Sequence, residues 1–242
     1  MIKKAMTLGL GLVLVGSAAF SQSLEDAKKA IDAEQYQKAT SILKTLTATQ
    51  KKPENFFGLG TVYLKTDNVD SAKVAFTNGT IANPKYALNF VGLGQVDLET
   101  NNAAGATANF EKAVALGGKD YKTYLEIGRA YIEQEKPNFA AALPFLTKAD
   151  ELDAKDADAE VFIALGDYYA LQKQNSQALA PYLRAMTVNA SYLRPLVQTG
   201  RMYTRAYNFS DAEAKLKEAI AADPNYGPAY RELAETQMEW SR

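Results

Sequence analysis

The side chains with the strongest chemistry in this sequence are arginines. Arg194, Arg201, Arg205 and Arg231 gather towards the C-terminus, and Arg129 precedes them. A guanidinium presents a planar fork of donors that matches a carboxylate through two parallel hydrogen bonds. Two readings of the set stay open here. The arginines anchor acidic side chains or a peptide C-terminus, or they pair internally with Glu160, Asp167 and Glu235. The acidic run Asp153, Asp156 and Asp158 lacks the spacing of a calcium loop and suits helix capping instead.

The 242 residues include no cysteine and no histidine. That excludes disulfides, thiolate nucleophiles, Cys/His zinc sites and an imidazole general base. No metal, cofactor or catalytic residue is expected. A net charge of -1 removes the electrostatic case for nucleic-acid binding. Apolar residues make up 47% of the chain, enough for a substantial core.

Whatever these side chains do, helices must position them. Leu59-Gly60, Leu93-Gly94, Ile127-Gly128, Leu165-Gly166 and Thr199-Gly200 recur at spacings of 34, 34, 38 and 34 residues. Four residues before each glycine the chain carries Phe56, Phe90, Tyr124, Phe162 or Leu196. Three after the glycine stands Tyr63, Tyr131, Tyr169 or Tyr203, with Asp97 as the exception. Twelve after it come Ala72, Ala106, Ala178 and Ala212. Four further on come Phe76, Phe110, Tyr182 and Leu216. Steps of three and four place each set on one helical face. A glycine inside a helix costs roughly 1 kcal/mol against alanine, so five in register imply close helix packing. The spacing of 38 marks four extra residues, two near Lys136–Phe139 and two near Lys155–Asp158. Pro144 and Pro181 fall early in second helices.

A unit of this length and pattern resembles the tetratricopeptide repeat, and the resemblance covers essentially the whole chain after its first residues. It implies an all-α solenoid of antiparallel helix pairs, wound into a right-handed superhelix with first helices lining the concave side. The expected units are a degenerate one at 22–52, full ones at 53–86, 87–120, 121–158, 159–192 and 193–226, and a partial or capping one at 227–242. The family frame places Phe57, Thr61, Leu64, Val91, Gln95 and Leu98 in the early groove. It places Arg129, Arg194, Arg201, Arg205 and Arg231 in the later groove. The lysines and asparagines with which some family members hold a chaperone C-terminus are not matched here. The early groove instead suits an apolar segment.

Met1–Ser21 reads as a secretory signal: Lys3 and Lys4, then apolar Ala5–Val15, then a small-residue stretch. Without a following cysteine, a lipid anchor is not expected. Nor is stable membrane insertion after signal removal. The expectation is an exported, periplasmic or extracellular, non-catalytic scaffold or adaptor of the cell envelope that binds a protein or peptide. The alternative is the N-terminal scaffold of a longer envelope protein with a separate functional domain.

Overall fold

A computed structural model describes residues 23–153, 155 and 157–242. The signal expected at Met1–Ser21 lies outside the described residues, as does Asp156. Among the described residues there are thirteen helices and no strand. In chain order they are α1 (Leu24–Asp32), α2 (Tyr36–Thr49), α3 (Pro53–Lys65), α4 (Val69–Ala82), α5 (Ala87–Glu99), α6 (Ala103–Gly117) and α7 (Tyr121–Ile132). Then follow α8 (Phe139–Leu152), α9 (Ala159–Leu171), α10 (Asn175–Val188), α11 (Arg194–Arg205), α12 (Phe209–Ala222) and α13 (Gly227–Trp240).

Local chemistry sets where these helices start. Ser23 caps α1 reciprocally: its hydroxyl accepts from Asp26 N at 3.1 Å, and the Asp26 carboxylate accepts from Ser23 N at 2.9 Å. Asn102, Asp120, Asn138 and Asp158 cap α6, α7, α8 and α9 with their side chains. Proline opens α3, and stands in the first turn of α11 and α13, where its missing N–H costs nothing.

The first helix of a pair ends in a left-handed residue. Glu34, Asp67, Asn101, Lys173 and Tyr207 all have φ between 57° and 61°. In each case the next amide bonds back across the helix end, as in Asn68 N to Tyr63 O at 2.8 Å and Gln174 N to Tyr169 O at 2.9 Å. This closes the carbonyl ladder and reverses the chain within three residues. Between α7 and α8 the connection runs from Glu133 to Asn138 and closes instead through Asn138 N to Tyr131 O at 2.9 Å.

Pro144 and Pro181, expected early in second helices, do fall in second helices. Both lie inside α8 and α10 rather than in their first turns, and the helices continue through them. The carbonyls they leave unbonded, four residues earlier, belong to exposed Ala140 and to Gln177, at the surface, where water can take them up.

Packing follows the small-and-large frame. A Cβ on Gly94 would lie 2.4 Å from the Phe110 ring, on Gly128 2.5 Å from Leu146, and on Gly166 2.4 Å from the Tyr182 ring. Each first helix therefore takes a large side chain from its own second helix into a glycine-lined contact. The buried alanines Ala72, Ala106, Ala142, Ala178 and Ala212 bring the helices close enough. Stacking buries both faces of each pair and makes a chain of linked cores rather than one globule. The stack curves so far that its ends meet. Ala33, after α1, packs against a cluster containing Leu193, Leu196, Tyr226 and Ala229.

Candidate interaction surface

The inner positions of successive first helices carry opposite charges, and the superhelix brings them together. Arg129 on α7 donates to Glu126 Oε1 at 3.1 Å, to the Glu160 backbone carbonyl at 3.2 Å, and to the Glu160 carboxylate. Arg194 on α11 pairs with Asp167 on α9, whose other oxygen accepts from the Tyr182 hydroxyl at 2.8 Å. Arg201 grips Glu232 of α13 through two nitrogens, with Nε to Oε2 at 2.9 Å, and also donates to Gln198 at 3.2 Å. Lys65 at the end of α3 reaches past α5 to Glu133 after α7, at 2.8 Å.

Enclosure shapes their protonation. Burial pushes the Glu126 carboxyl up, against the pull of Arg129. Burial opposes ionisation of Glu133 too, but Lys65 and Arg129 outweigh it and hold its pKa below the usual value. Glu160 behaves the same way, with Arg129 prevailing over burial. Burial pushes Asp32 up to about 6, with Glu160 adding to the rise and Arg194 opposing it.

The residues expected in the early groove mostly serve the core. Val91 is 1% exposed and belongs to the cluster around Phe110 and Ile127. Phe57 packs its ring 5.9 Å from Phe76, and Leu64 is partly buried in the same cluster. Leu98 is half-buried against the cluster of Val91 and Phe110. Thr61 turns its hydroxyl to the Phe57 carbonyl at 3.0 Å, and Gln95 is half-buried. Among the later residues, Arg129, Arg194 and Arg201 are held in the pairs above. Arg231 pairs with Glu34, and Arg205 is exposed with no ion pair or hydrogen bond among the described residues. In the acidic run, Asp153 and Asp158 serve the helix end: Asp153 accepts from Asp158 N at 2.9 Å, and Asp158 accepts from Glu160 N at 3.0 Å and from the Tyr121 hydroxyl at 2.8 Å.

Space for a ligand lies at the C-terminal end. A hollow of about 700 Å³ is lined by Arg201, Thr204, Arg205, Tyr207, Arg231, Glu232, Glu235, Met238 and Glu239. A second, of about 400 Å³, adjoins it through Arg205 and adds Ala170, Leu171, Lys173 and Asn175. Tyr207 is 79% exposed and stands edge-on to Phe209, which stacks on Trp240 at 5.9 Å between centroids. Sequence reasoning missed Tyr207, Met238 and Glu232. A signal for Glu232 existed: it stands two before the glycine-frame position, as Glu126 does, one unit beyond an arginine that stands one after it.

No protein-family model matches the sequence, and no curated protein matches it. Solved structures do. A TPR protein of Thermus thermophilus superposes with a TM-score of 0.61 at 18% identity, over 77% of this chain and 99% of that one. A tetratricopeptide repeat protein from Parabacteroides merdae gives 0.60 at 15%, over 88% of this chain and 82% of its own. The chain has the tetratricopeptide-repeat fold. A chain of the APC/C hetero-tetramer Cut9-Hcn1 gives a TM-score of 0.58 at 14% identity, over 88% of this chain. The match spans only 42% of that longer chain. Among the described residues no helix is long and apolar enough to cross a membrane.

Proposed function

We propose that this protein is a non-catalytic scaffold that docks a partner protein at the C-terminal mouth of its superhelix. The observation that carries this reading is Arg205. It is exposed between two adjoining hollows with no ion pair among the described residues, while Arg129, Arg194, Arg201 and Arg231 all have carboxylate partners. An unpaired guanidinium flanked by exposed Tyr207 and Met238 offers charge and apolar surface together, the composition of a protein-binding hot spot. A structural neighbour, a chain of the hetero-tetramer Cut9-Hcn1, is part of a multi-protein assembly.

The test is photo-crosslinking in the native host, with a photoreactive phenylalanine at Tyr207 and a control at exposed Ile81 on the outer face. The expected result is one discrete protein adduct from position 207, absent from 81 and lost on Arg205→Glu. Identical adduct patterns from both positions would remove the docking reading.

We further propose that the scaffold works outside the cytoplasm. This rests on the sequence of Met1–Ser21 alone. A mature N-terminus at Gln22 in protein from the host envelope supports it, and an intact Met1 there counts against it.

A further inference from the structure

Glu34 occupies the turn between α1 and α2, yet its partner is on α13. Its carboxylate accepts from Arg231 Nη1 at 2.6 Å and from Nη2 at 3.0 Å, the parallel fork that guanidinium and carboxylate geometry favours. The neighbouring residues reinforce the contact. The Tyr226 hydroxyl lies 3.1 Å from the Asp32 carbonyl and 3.2 Å from its carboxylate, and Ala33 packs against the cluster that contains Tyr226. Arg231 also lines the larger hollow, beside unpaired Arg205 and exposed Tyr207.

Two features make this a contact that can be displaced. In a solenoid each unit is held by its sequence neighbours, so an end-to-end contact is additional to the fold and can open without unfolding a unit. The pair is also half in water, with side-chain exposures of 49% and 40%, so salt and competing carboxylates reach it. Arg231 in turn hydrogen-bonds Glu34 and holds its carboxyl below the ordinary value.

We propose that the α1–α2 turn is an internal acidic ligand: Glu34 occupies Arg231 until an acidic segment of a partner displaces it, and the first and last units then separate. The inference rests on the reading of the C-terminal hollow as a docking site. Tethering gives Glu34 a high effective concentration, so a partner must bring several carboxylates, or a carboxylate with apolar contacts to Tyr207, to compete.

The test uses the whole chain. It has no native cysteine, so spin labels go to Gln37→Cys and Asn225→Cys, both outside the pair and at the surface. Pulsed EPR of this background should give one narrow distance distribution. Glu34→Gln and Arg231→Gln should each broaden it towards longer distances, and the swap Glu34→Arg with Arg231→Glu should narrow it again. Separately, a fluorescein-labelled hexaglutamate peptide at low salt should bind Glu34→Gln at least about fivefold tighter than the parent. An unchanged distance distribution in both single variants would overturn the latch. Equal peptide affinity in parent and Glu34→Gln would overturn the inhibition. Absence of peptide binding by either form would discard the hollow as a carboxylate acceptor, and with it the internal-ligand role, while the distances still report the closure.

Discussion

The Phe76 ring fills the space that a side chain on Gly60 would take: a Cβ there would lie 2.4 Å from Phe76 Cε1. The ring is fully buried, and Gly92 of the next unit presses it from the other side, where a Cβ would lie 2.3 Å away. It has nowhere to retreat. Gly60→Ala should therefore destabilise the protein by about 1–2 kcal/mol, because overpacking outweighs the gain of roughly 1 kcal/mol in helix propensity. Gly58→Ala is the contrast: its nearest neighbour is a buried methyl of Leu43 at 3.0 Å, a much smaller overlap, so that variant should cost clearly less than Gly60→Ala. Urea melts of both decide it, and equal midpoints would refute the packing argument.

Glu232 is 4% exposed and accepts from Arg201 Nε at 2.9 Å. Arg201→Met should cost about 2–4 kcal/mol, since it strands a buried carboxylate whose nearest remaining cation is Arg231 at 4.0 Å. Adding Glu232→Met should recover most of the loss. A double-mutant cycle by chemical denaturation measures the coupling, and additive losses would show that the pair is not a unit.

Asp32 gives the fold a pH dependence of definite sign. Its folded pKa of about 6, raised by burial and by Glu160 against Arg194, Arg129 and the Tyr226 hydroxyl, lies above its unfolded value. The folded state therefore holds the proton more tightly. Its contribution to stability falls as pH rises from about 4 to about 6 and stays constant above that. Asp32→Asn keeps an acceptor for Tyr226 and removes the charge. Its stability relative to the parent should rise across that window by about 1–3 kcal/mol and be flat elsewhere, read from thermal melts between about pH 4 and 8. A constant difference at every pH would mean that Asp32 titrates normally.

Lys173 and Gly118 make opposite tests of the turns. Lys173 sits at φ 61°, where an L-residue is strained, so Lys173→Gly should stabilise by about 0.5–1 kcal/mol. Gly118 sits at φ 58°, and a Cβ added there would meet no atom within 4 Å, so Gly118→Ala should destabilise by about 1 kcal/mol through the backbone alone. Matched signs in a thermal melt would overturn the strain argument.

Much of the fold is legible in the residues. The glycines at 60, 94, 128, 166 and 200 mark contacts with a large second-helix side chain because only a missing Cβ lets that side chain in. The surface is less legible. Phe57 and Leu64 face the groove in the repeat frame, but the Phe76 ring reaches them and draws them into the core. The arginines fall at inner positions, and their pairing with Asp167 and Glu160 is one of the two readings the sequence allows. Glu34 could not be chosen as the partner of Arg231, because no local pattern links residues 197 positions apart.

The helices, their small-and-large packing frame and the charges along the first helices can be read from residue order, because all of them depend on neighbours within one or two units. How far the stack turns is visible only in the folded chain. Each unit adds a rotation set by the shapes of several side chains at its boundary, and these rotations accumulate. Their sum carries Glu34 onto Arg231 and Asp32 under Tyr226, and leaves Arg205 exposed beside the hollow with no partner among the described residues.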